Sequence, residues 1–163
     1  GTYQEVLDID PGSLAAMDAL ERIYVGQGAW EPLTRVLRQR VMAVDEPSER
    51  ARLWRKIGEI QRDHLKDAYQ AIEAFQEIVD LGAGSHTTMY ALDAIVRLNE
   101  GLERWPEVEE GLRRQLELAD DDETYRALFA AAKELLPAEG ASRPMHTSAR
   151  ATPMPRPVPW PLR

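Results

Sequence analysis

Cysteine is absent from this chain of 163 residues. Disulfide bonds, thiolate metal sites and cysteine nucleophiles are therefore excluded. A sequence without disulfides is typical of reducing compartments and favours the cytoplasm. Long apolar runs are lacking too, because no stretch approaches the ~20 residues that a membrane-spanning helix needs. We therefore expect a cytoplasmic protein that does not cross a membrane.

Basic side chains are in the minority. The sequence has 20 basic and 28 acidic residues, a net charge of −8. Residues 137–163 hold four arginines and one acid, so residues 1–136 carry 16 basic and 27 acidic side chains, a net charge of −11. Such a body repels phosphate groups and anionic membrane surfaces. The charge pattern therefore predicts neither nucleic acid nor membrane as a partner.

Residues that carry chemistry are also scarce. The three histidines, at positions 64, 86 and 146, lack the i, i+4 spacing of a helical metal site, and we expect His64 and His86 in turns. No strand precedes Gly82-Ala83-Gly84 and no lysine follows it, so it is not a phosphate loop. The acids at 120–123 lack the spacing of a calcium loop. The sequence predicts no enzyme, no metal and no cofactor.

What the sequence does have is an internal repeat. When the chain is shifted by 75 residues against itself, two separate stretches align in one register without a gap. The matched pairs include Gly26 and Gly101, Trp30 and Trp105, Leu37 and Leu112, Asp45 and Asp120, and Trp54 and Phe129. A repeat of this length predicts an array of supersecondary units.

Each 75-residue unit divides into two helix pairs, because apolar residues recur at i, i+3, i+4 and i+7. We expect eight helices and no strand, with Asp45, Pro47 and Ser48 in a turn and Ser85 as an N-cap. The segment Tyr3–Asp8 is similar to Phe75–Asp80, which predicts that residues 1–9 form the second helix of a partial pair.

One pair in particular resembles the tetratricopeptide repeat, whose period is ~34 residues. The residues that carry the resemblance are Trp54, Ile57, Gly58, Ala71, Phe75 and Ile78. Its Gly58 and Ala71 are expected to let two helix backbones approach closely. The first and third pairs depart from the pattern, with Glu21 and Val96 at the glycine position. We expect Trp30, Trp54 and Trp105 to pack in or between the repeats.

The resemblance implies an all-α fold, an α-solenoid of antiparallel helix pairs that forms a right-handed superhelix. It covers residues 1–136. The expected parts are a half repeat at 1–10, repeats at about 13–46, 49–82 and 87–120, and a half repeat at 123–136.

Residues 137–163 have a different composition, with seven of the eleven prolines and with Trp160 among them. Proline lacks the donor that a helix needs, so this tail is predicted to be extended and disordered. Two interpretations stay open for it: a short peptide ligand around Trp160, or an extension without a selected role.

The family resemblance also implies a binding groove, because the second, fifth and ninth residues of each first helix commonly face the concave side. Ala15 is the second residue of the first repeat. The candidate groove residues are Asp18, Arg22, Arg52, Arg55, Glu59, Tyr90, Asp93 and Arg97. Arginines bind carboxylates in a bidentate manner, which favours a partner segment that bears acids. Alternatively, the i, i+4 pairs of Asp18 with Arg22 and of Asp93 with Arg97 only support solvated helix faces.

Three functions follow from this organisation. We expect a non-catalytic scaffold that binds a protein or peptide in the concave groove. The first alternative is a regulatory repeat segment of a larger enzyme or signalling protein, and the second is a self-assembly module in which copies of the chain associate.

Overall fold

The computed structural model describes residues 2–136, and within them every regular element is an α-helix. The tail at 137–163, predicted to be disordered, lies outside the described residues. The eight helices are α1 (Thr2–Ile9), α2 (Leu14–Gln27), α3 (Trp30–Ala43), α4 (Pro47–Asp63), α5 (Ala68–Leu81), α6 (Ser85–Gly101), α7 (Trp105–Leu118) and α8 (Asp122–Leu135). The predicted all-α fold with eight helices is confirmed.

Glycine and aspartate set several of the helix ends. Gly28 and Gly82 end α2 and α5 in the left-handed conformation, with φ of 63° and 60°, which glycine adopts without strain. The carboxylate of Asp67 caps α5 by accepting a hydrogen bond of 3.0 Å from the Gln70 amide. Asp121 caps α8 in the same way, 2.7 Å from the Thr124 amide.

Three residues that were predicted in turns, Pro47, Ser48 and His86, lie inside helices, and so does Ser85, the predicted N-cap. Pro47 is the first residue of α4 and Ser48 is the second. Proline suits this position because the N–H groups of the first helical turn have no partner within the helix, so the N–H that proline lacks would be unpaired anyway. Ser85 is the first residue of α6 rather than its N-cap, since the Thr88 amide donates to the carbonyl of Gly84. His86 therefore lies in α6, and its prediction as a turn residue was wrong.

The described residues divide into two compact units, 2–88 and 89–136. In the first unit each of the helices α1 to α4 packs against the next one in sequence, so that α4 packs against α5. Two apolar clusters in this unit bury aliphatic side chains from α1 to α5. One cluster consists of Leu7, Ala16, Met17, Leu20 and Val36, and the other of Leu33, Leu37, Val41, Leu53, Ile57 and Ala74.

The close approach between α4 and α5 is made by Gly58. A Cβ atom at this position would lie 2.8 Å from the ring of Phe75, which is fully buried. Gly58 therefore makes room for an aromatic side chain of the neighbouring helix. The expected close approach of the two helices at Gly58 is present, and the structure adds that the ring of Phe75 fills the space above this glycine.

The second unit contains a similar contact, but here the glycine lies on the second helix of the pair, α7, and the larger residue lies on the first helix, α6. A Cβ atom at Gly111 of α7 would lie 2.6 Å from a methyl carbon of Val96 on α6. Val96, at the family's glycine position, is thus accommodated by a glycine on the second helix. Around this contact lies an apolar cluster that also takes residues from α8. Its buried members are Val96, Val108, Leu112, Leu116, Ala119, Tyr125, Ala132 and Leu136.

The three tryptophans of the repeat register lie beside these clusters and are half-buried. Trp30 and Trp54 pack against the second cluster of the first unit, and Trp105 packs against the cluster of the second unit. Their predicted packing role is confirmed. Trp160 lies outside the described residues.

Candidate partner-binding surface

Five of the predicted groove residues lie in the first unit, on the first helices of two successive pairs. Asp18 and Arg22 are on α2, and Arg52, Arg55 and Glu59 are on α4. All except Glu59 are exposed, and Glu59 is half-exposed. The amphipathic pattern of each helix explains this placement, because its apolar stripe faces the clusters and turns these polar positions to solvent.

The arginines of α4 bind acids of the same helix. Arg52 holds Glu49 through two hydrogen bonds, of 3.0 Å from Nε and 2.6 Å from Nη2. This contact lowers the pKa of the Glu49 carboxyl and raises the pKa of the Arg52 guanidinium. Arg55 donates from Nε to Glu59 over 2.9 Å. The charges of Arg52 and Arg55 are thus partly neutralised by acids of their own helix.

On α2 the predicted pair of Asp18 and Arg22 does not form between the two side chains. Arg22 donates instead to the backbone carbonyl of Asp18 over 3.4 Å. The carboxylate of Asp18 binds Arg40 of α3. An arginine on the neighbouring helix has therefore replaced the i, i+4 partner that sequence spacing predicted.

The remaining three predicted groove residues, Tyr90, Asp93 and Arg97, lie on α6 in the second unit. Here the predicted i, i+4 pair does form, with Arg97 Nε donating to Asp93 over 2.8 Å. The contact with Asp93 raises the pKa of Arg97. Tyr90 is half-buried.

Between α2, α3 and α4 the first unit forms a cleft of about 270 Å³. Its lining combines an apolar part with a polar part that contains three acids and one lysine. The apolar residues are Val25, Trp30, Leu33, Leu37 and Ile60, and the polar ones are Glu21, Lys56, Glu59, Asp63 and His64. Of the predicted groove residues, only Glu59 lines this cleft.

A network centred on Glu21 links the three helices beside the cleft. The Glu21 carboxylate binds Lys56 of α4 and, at 3.2 Å, Arg40 of α3. The side chains of Arg40 and Glu21 are only 18% and 16% exposed. At such partly buried positions charge interactions are screened less than on the surface. The sequence analysis singled out Glu21 only as a departure from the glycine position of the tetratricopeptide pattern and did not predict these ion pairs.

Two of the residues that line the cleft, Trp30 and His64, stack on each other. The rings of Trp30, at the start of α3, and His64, at the end of α4, lie 3.7 Å apart with an angle of 13° between their planes. The predicted turn position of His64 is confirmed, but the sequence did not predict its stacking on Trp30. Residues 34 positions apart meet here because α3 and α4 pack together, which no local pattern could reveal.

Within the described part of the chain, no group of three or more histidine, aspartate or glutamate side chains could hold a metal ion. No helix there is long and apolar enough to cross a membrane. A comparison of the chain with protein-family models found no match, and a search of curated proteins found no significant relative.

Proposed function

We propose that this protein is a non-catalytic scaffold of the tetratricopeptide kind that binds a protein or peptide segment along the first helices of its pairs. The observation that supports this proposal best is the cleft between α2, α3 and α4. The cleft includes Glu59, one of the residues that the family resemblance puts in the groove, and it is also lined by Glu21 and Val25 of α2 and Lys56 of α4. The proposal includes a cytoplasmic location, which the cysteine-free sequence favours.

The cleft has the composition of a side-chain pocket. Val25 and Ile60 provide accessible apolar surface, and Trp30 adds a rigid aromatic face. A buried aliphatic side chain of a ligand contributes about 1.5–3 kcal/mol relative to an exposed one. We propose that one apolar residue of the partner occupies this cleft and anchors the segment.

Acidic residues of the partner would be bound by the arginines of α4. Arg52 and Arg55 now hold Glu49 and Glu59, and both ion pairs are well exposed. Exchanging such a pair for one with a partner costs little, since exposed ion pairs are worth roughly 0–1 kcal/mol. The arginines can therefore turn to a ligand carboxylate while the anchor residue supplies most of the binding energy.

The first experiment is a selection of peptides from a displayed random library by the full chain. Selected peptides are then measured against three variants. Val25→Glu places a charge at the cleft, and Ile23→Glu places one on an exposed site of the same helix away from it. The third variant combines Arg52→Glu with Arg55→Glu.

We expect Val25→Glu to weaken binding by about tenfold or more, which is about 1.4 kcal/mol, and Ile23→Glu to leave it unchanged. The arginine variant should weaken binding only of peptides that contain acids. Equal affinities for all four proteins would contradict the groove assignment. Affinity capture from cell lysate with the same variants then identifies the natural partner.

A further inference from the structure

A second pocket of the first unit is lined by residues of α1, α2 and α3 and has a volume of about 430 Å³. It shares no lining residue with the cleft between α2, α3 and α4. No acid lines this pocket, which we call the arginine pocket, and its polar lining residues are Gln4, Tyr24, Arg35, Arg38 and Gln39. Asp8, which accepts a hydrogen bond of 3.5 Å from Gln4, lies outside the lining. The pocket is therefore a basic site in a body whose residues 1–136 carry a net charge of −11.

Neither arginine of the pocket forms an ion pair with an acid among the described residues. Arg35 is exposed, and Glu31, one helical turn before it, is not bound to it. Arg38 is held by neutral groups instead. Its Nη2 donates to Gln70 over 3.1 Å, and its guanidinium carbon lies 5.4 Å from the centre of the Trp54 ring. Because positions three apart are neighbours on a helix surface, the two like charges repel each other, and an anion in the pocket would offset this repulsion.

The internal repeat shows how the same positions are neutralised in the second unit. The shift of 75 residues carries Arg35 onto Glu110 and Arg38 onto Arg113, both on α7. There the two side chains bind each other, with Nη1 of Arg113 3.2 Å from a carboxylate oxygen of Glu110. In α3 a second arginine stands in place of this acid. The carboxylate that neutralises Arg113 therefore has no counterpart beside Arg38.

Helix α5 also has an acid at the position of Arg35. A shift of 38 residues matches the buried Leu37 of α3 with the buried Phe75 of α5. The same shift carries Arg35 onto Glu73, which lines a further pocket together with Arg38. Two of the three helices compared thus carry glutamate where α3 carries arginine. The basic character of the arginine pocket is particular to α3 and does not follow from the repeat.

The lining indicates which kind of anion the arginine pocket would bind. Guanidinium groups bind carboxylates through paired, charge-assisted hydrogen bonds, and glutamine amides are further donors. A polyanion such as a nucleic acid is repelled by the acidic body around the pocket, whereas a short acidic segment brings few charges. The rim is open, since Gln4, Arg35 and Gln39 are exposed. Such a site suits a chain that continues beyond it better than a small molecule, which a pocket normally buries on most sides.

We propose that the arginine pocket binds a glutamate from an acidic segment of a partner protein. The carboxylate lies between Arg35 and Arg38 and supplies the charge that Glu110 supplies to Arg113 in α7. This site on α3 is additional to the proposed contacts along the first helices, and it does not depend on what the cleft binds.

The probe is a tetraglutamate peptide with blocked termini, and the tetraglutamine peptide is its uncharged control. Each is titrated into the full chain labelled with ¹⁵N at low ionic strength, where exposed charges are screened least. NMR follows the arginine Nε–H signals and the backbone amides of residues 32–39. We expect saturable shifts at Arg35 and Arg38 with tetraglutamate and none with tetraglutamine. The dissociation constant should be millimolar, because exposed ion pairs are weak.

Variants with the same change of charge make the test specific. Arg35→Gln should weaken the binding of tetraglutamate at the pocket by about threefold or more. Arg126→Gln, at an exposed position of α8, should leave this binding unchanged. The double variant Arg52→Gln with Arg55→Gln removes the acid-binding residues of the proposed groove, and it should also leave the shifts at Arg35 unchanged. Failure of the groove proposal is therefore distinguishable from failure of this one.

Four results would overturn the proposal. The first is the absence of saturable shifts at Arg35 and Arg38, and the second is equal binding by the Arg35→Gln chain. The third is inorganic phosphate that binds at the same signals as tightly as tetraglutamate at equal ionic strength, which would indicate a site for a free anion. The fourth is a dimer in sedimentation that Arg35→Gln dissociates, because acids of a second copy of the chain would then fill the pocket.

Discussion

Two glycines set the distance between paired helices, and each faces one particular side chain. Gly58 faces the ring of Phe75 and Gly111 faces a methyl group of Val96. Neither glycine has a positive φ. These positions therefore need glycine for the space that a Cβ atom would take, and a substitution there acts through packing.

We predict that Gly58→Ala lowers the free energy of unfolding by about 1–3 kcal/mol, because the buried ring of Phe75 must shift to admit the new methyl group. Chemical denaturation followed by circular dichroism measures this loss. Gly26→Ala, in α2 with no atom near its Cβ position, is the control and should be neutral or stabilising by up to about 1 kcal/mol. Equal effects at the two sites would show that the contact with Phe75 is unimportant.

The ion pair of Arg52 and Glu49 gives a second prediction for single residues. Its contact with Arg52 lowers the pKa of Glu49 from the ordinary value of 4.5. The pair therefore contributes stability above the unfolded-state pKa, and this contribution is lost as the pH falls through the lower folded-state pKa.

Because both side chains are about a third or more exposed, the contribution is small. We expect Glu49→Gln to reduce stability by at most about 0.5 kcal/mol at pH 7 and by nothing at pH 2–3. Denaturation at both pH values tests this, with Glu77→Gln on α5 as the control. A loss that persists at pH 2 would point to a cause other than the ion pair.

At the scale of helices, Glu21 adds ion pairs between helices that are already joined by apolar packing. It lies on α2 and binds Arg40 of α3 and Lys56 of α4. Arg40 in turn binds Asp18, so one arginine holds two acids of α2. This network links three successive helices beside the cleft.

We expect Glu21→Gln to lower the free energy of unfolding by about 1–2 kcal/mol. The partly buried Arg40 pairs with Asp18 and Glu21, and this substitution removes the charge of one of those two acids. Glu59→Gln breaks a pair within one helix at a more exposed position and should cost at most about 0.5 kcal/mol. Thermal denaturation at low and at high salt compares the two. If Glu59→Gln proved as costly as Glu21→Gln, the link between helices would not be the source of the stability.

At the scale of the molecule, stability is expected to be local. Repeat arrays are held together by contacts between neighbouring elements, so that a change is felt most strongly near its site. The division into one compact unit up to Thr88 and another from Met89 agrees with this expectation.

Hydrogen exchange of two variants can therefore map this division. We predict that Gly58→Ala reduces amide protection mainly within residues 2–88, and that Gly111→Ala does so mainly within 89–136. Mass spectrometry of peptic fragments measures the protection. A uniform loss over all eight helices in either variant would mean that residues 2–136 unfold as one cooperative body.

The sequence predicted the elements of this fold well, because their signals are local. The apolar spacing at 3.6 residues and the residues that favour helix ends are properties of a few neighbouring positions. Errors were confined to boundaries such as Pro47 and Ser48, where a turn residue also suits a first helical turn. The repeat register also identified the tryptophans that pack beside the clusters.

The candidate site was predicted only in part. Sequence spacing located Arg55 and Glu59, which meet within one helix, because i and i+4 are neighbours on any helix surface. It could not find the stack of Trp30 on His64 or the bonds from Arg40 to Asp18 and Glu21. Those contacts join residues 19 to 34 positions apart, and they exist only once the helices have packed.

By itself, the sequence determined that the described chain is helical, where its helices lie, and which positions repeat. These properties depend on the backbone and on side chains within one or two turns. The tertiary structure alone decided which side chain occupies the space above each glycine, which acid holds Arg40, and that Tyr3 stays exposed while Phe75 is buried. Such outcomes depend on the distance and orientation between packed helices, which no local pattern contains.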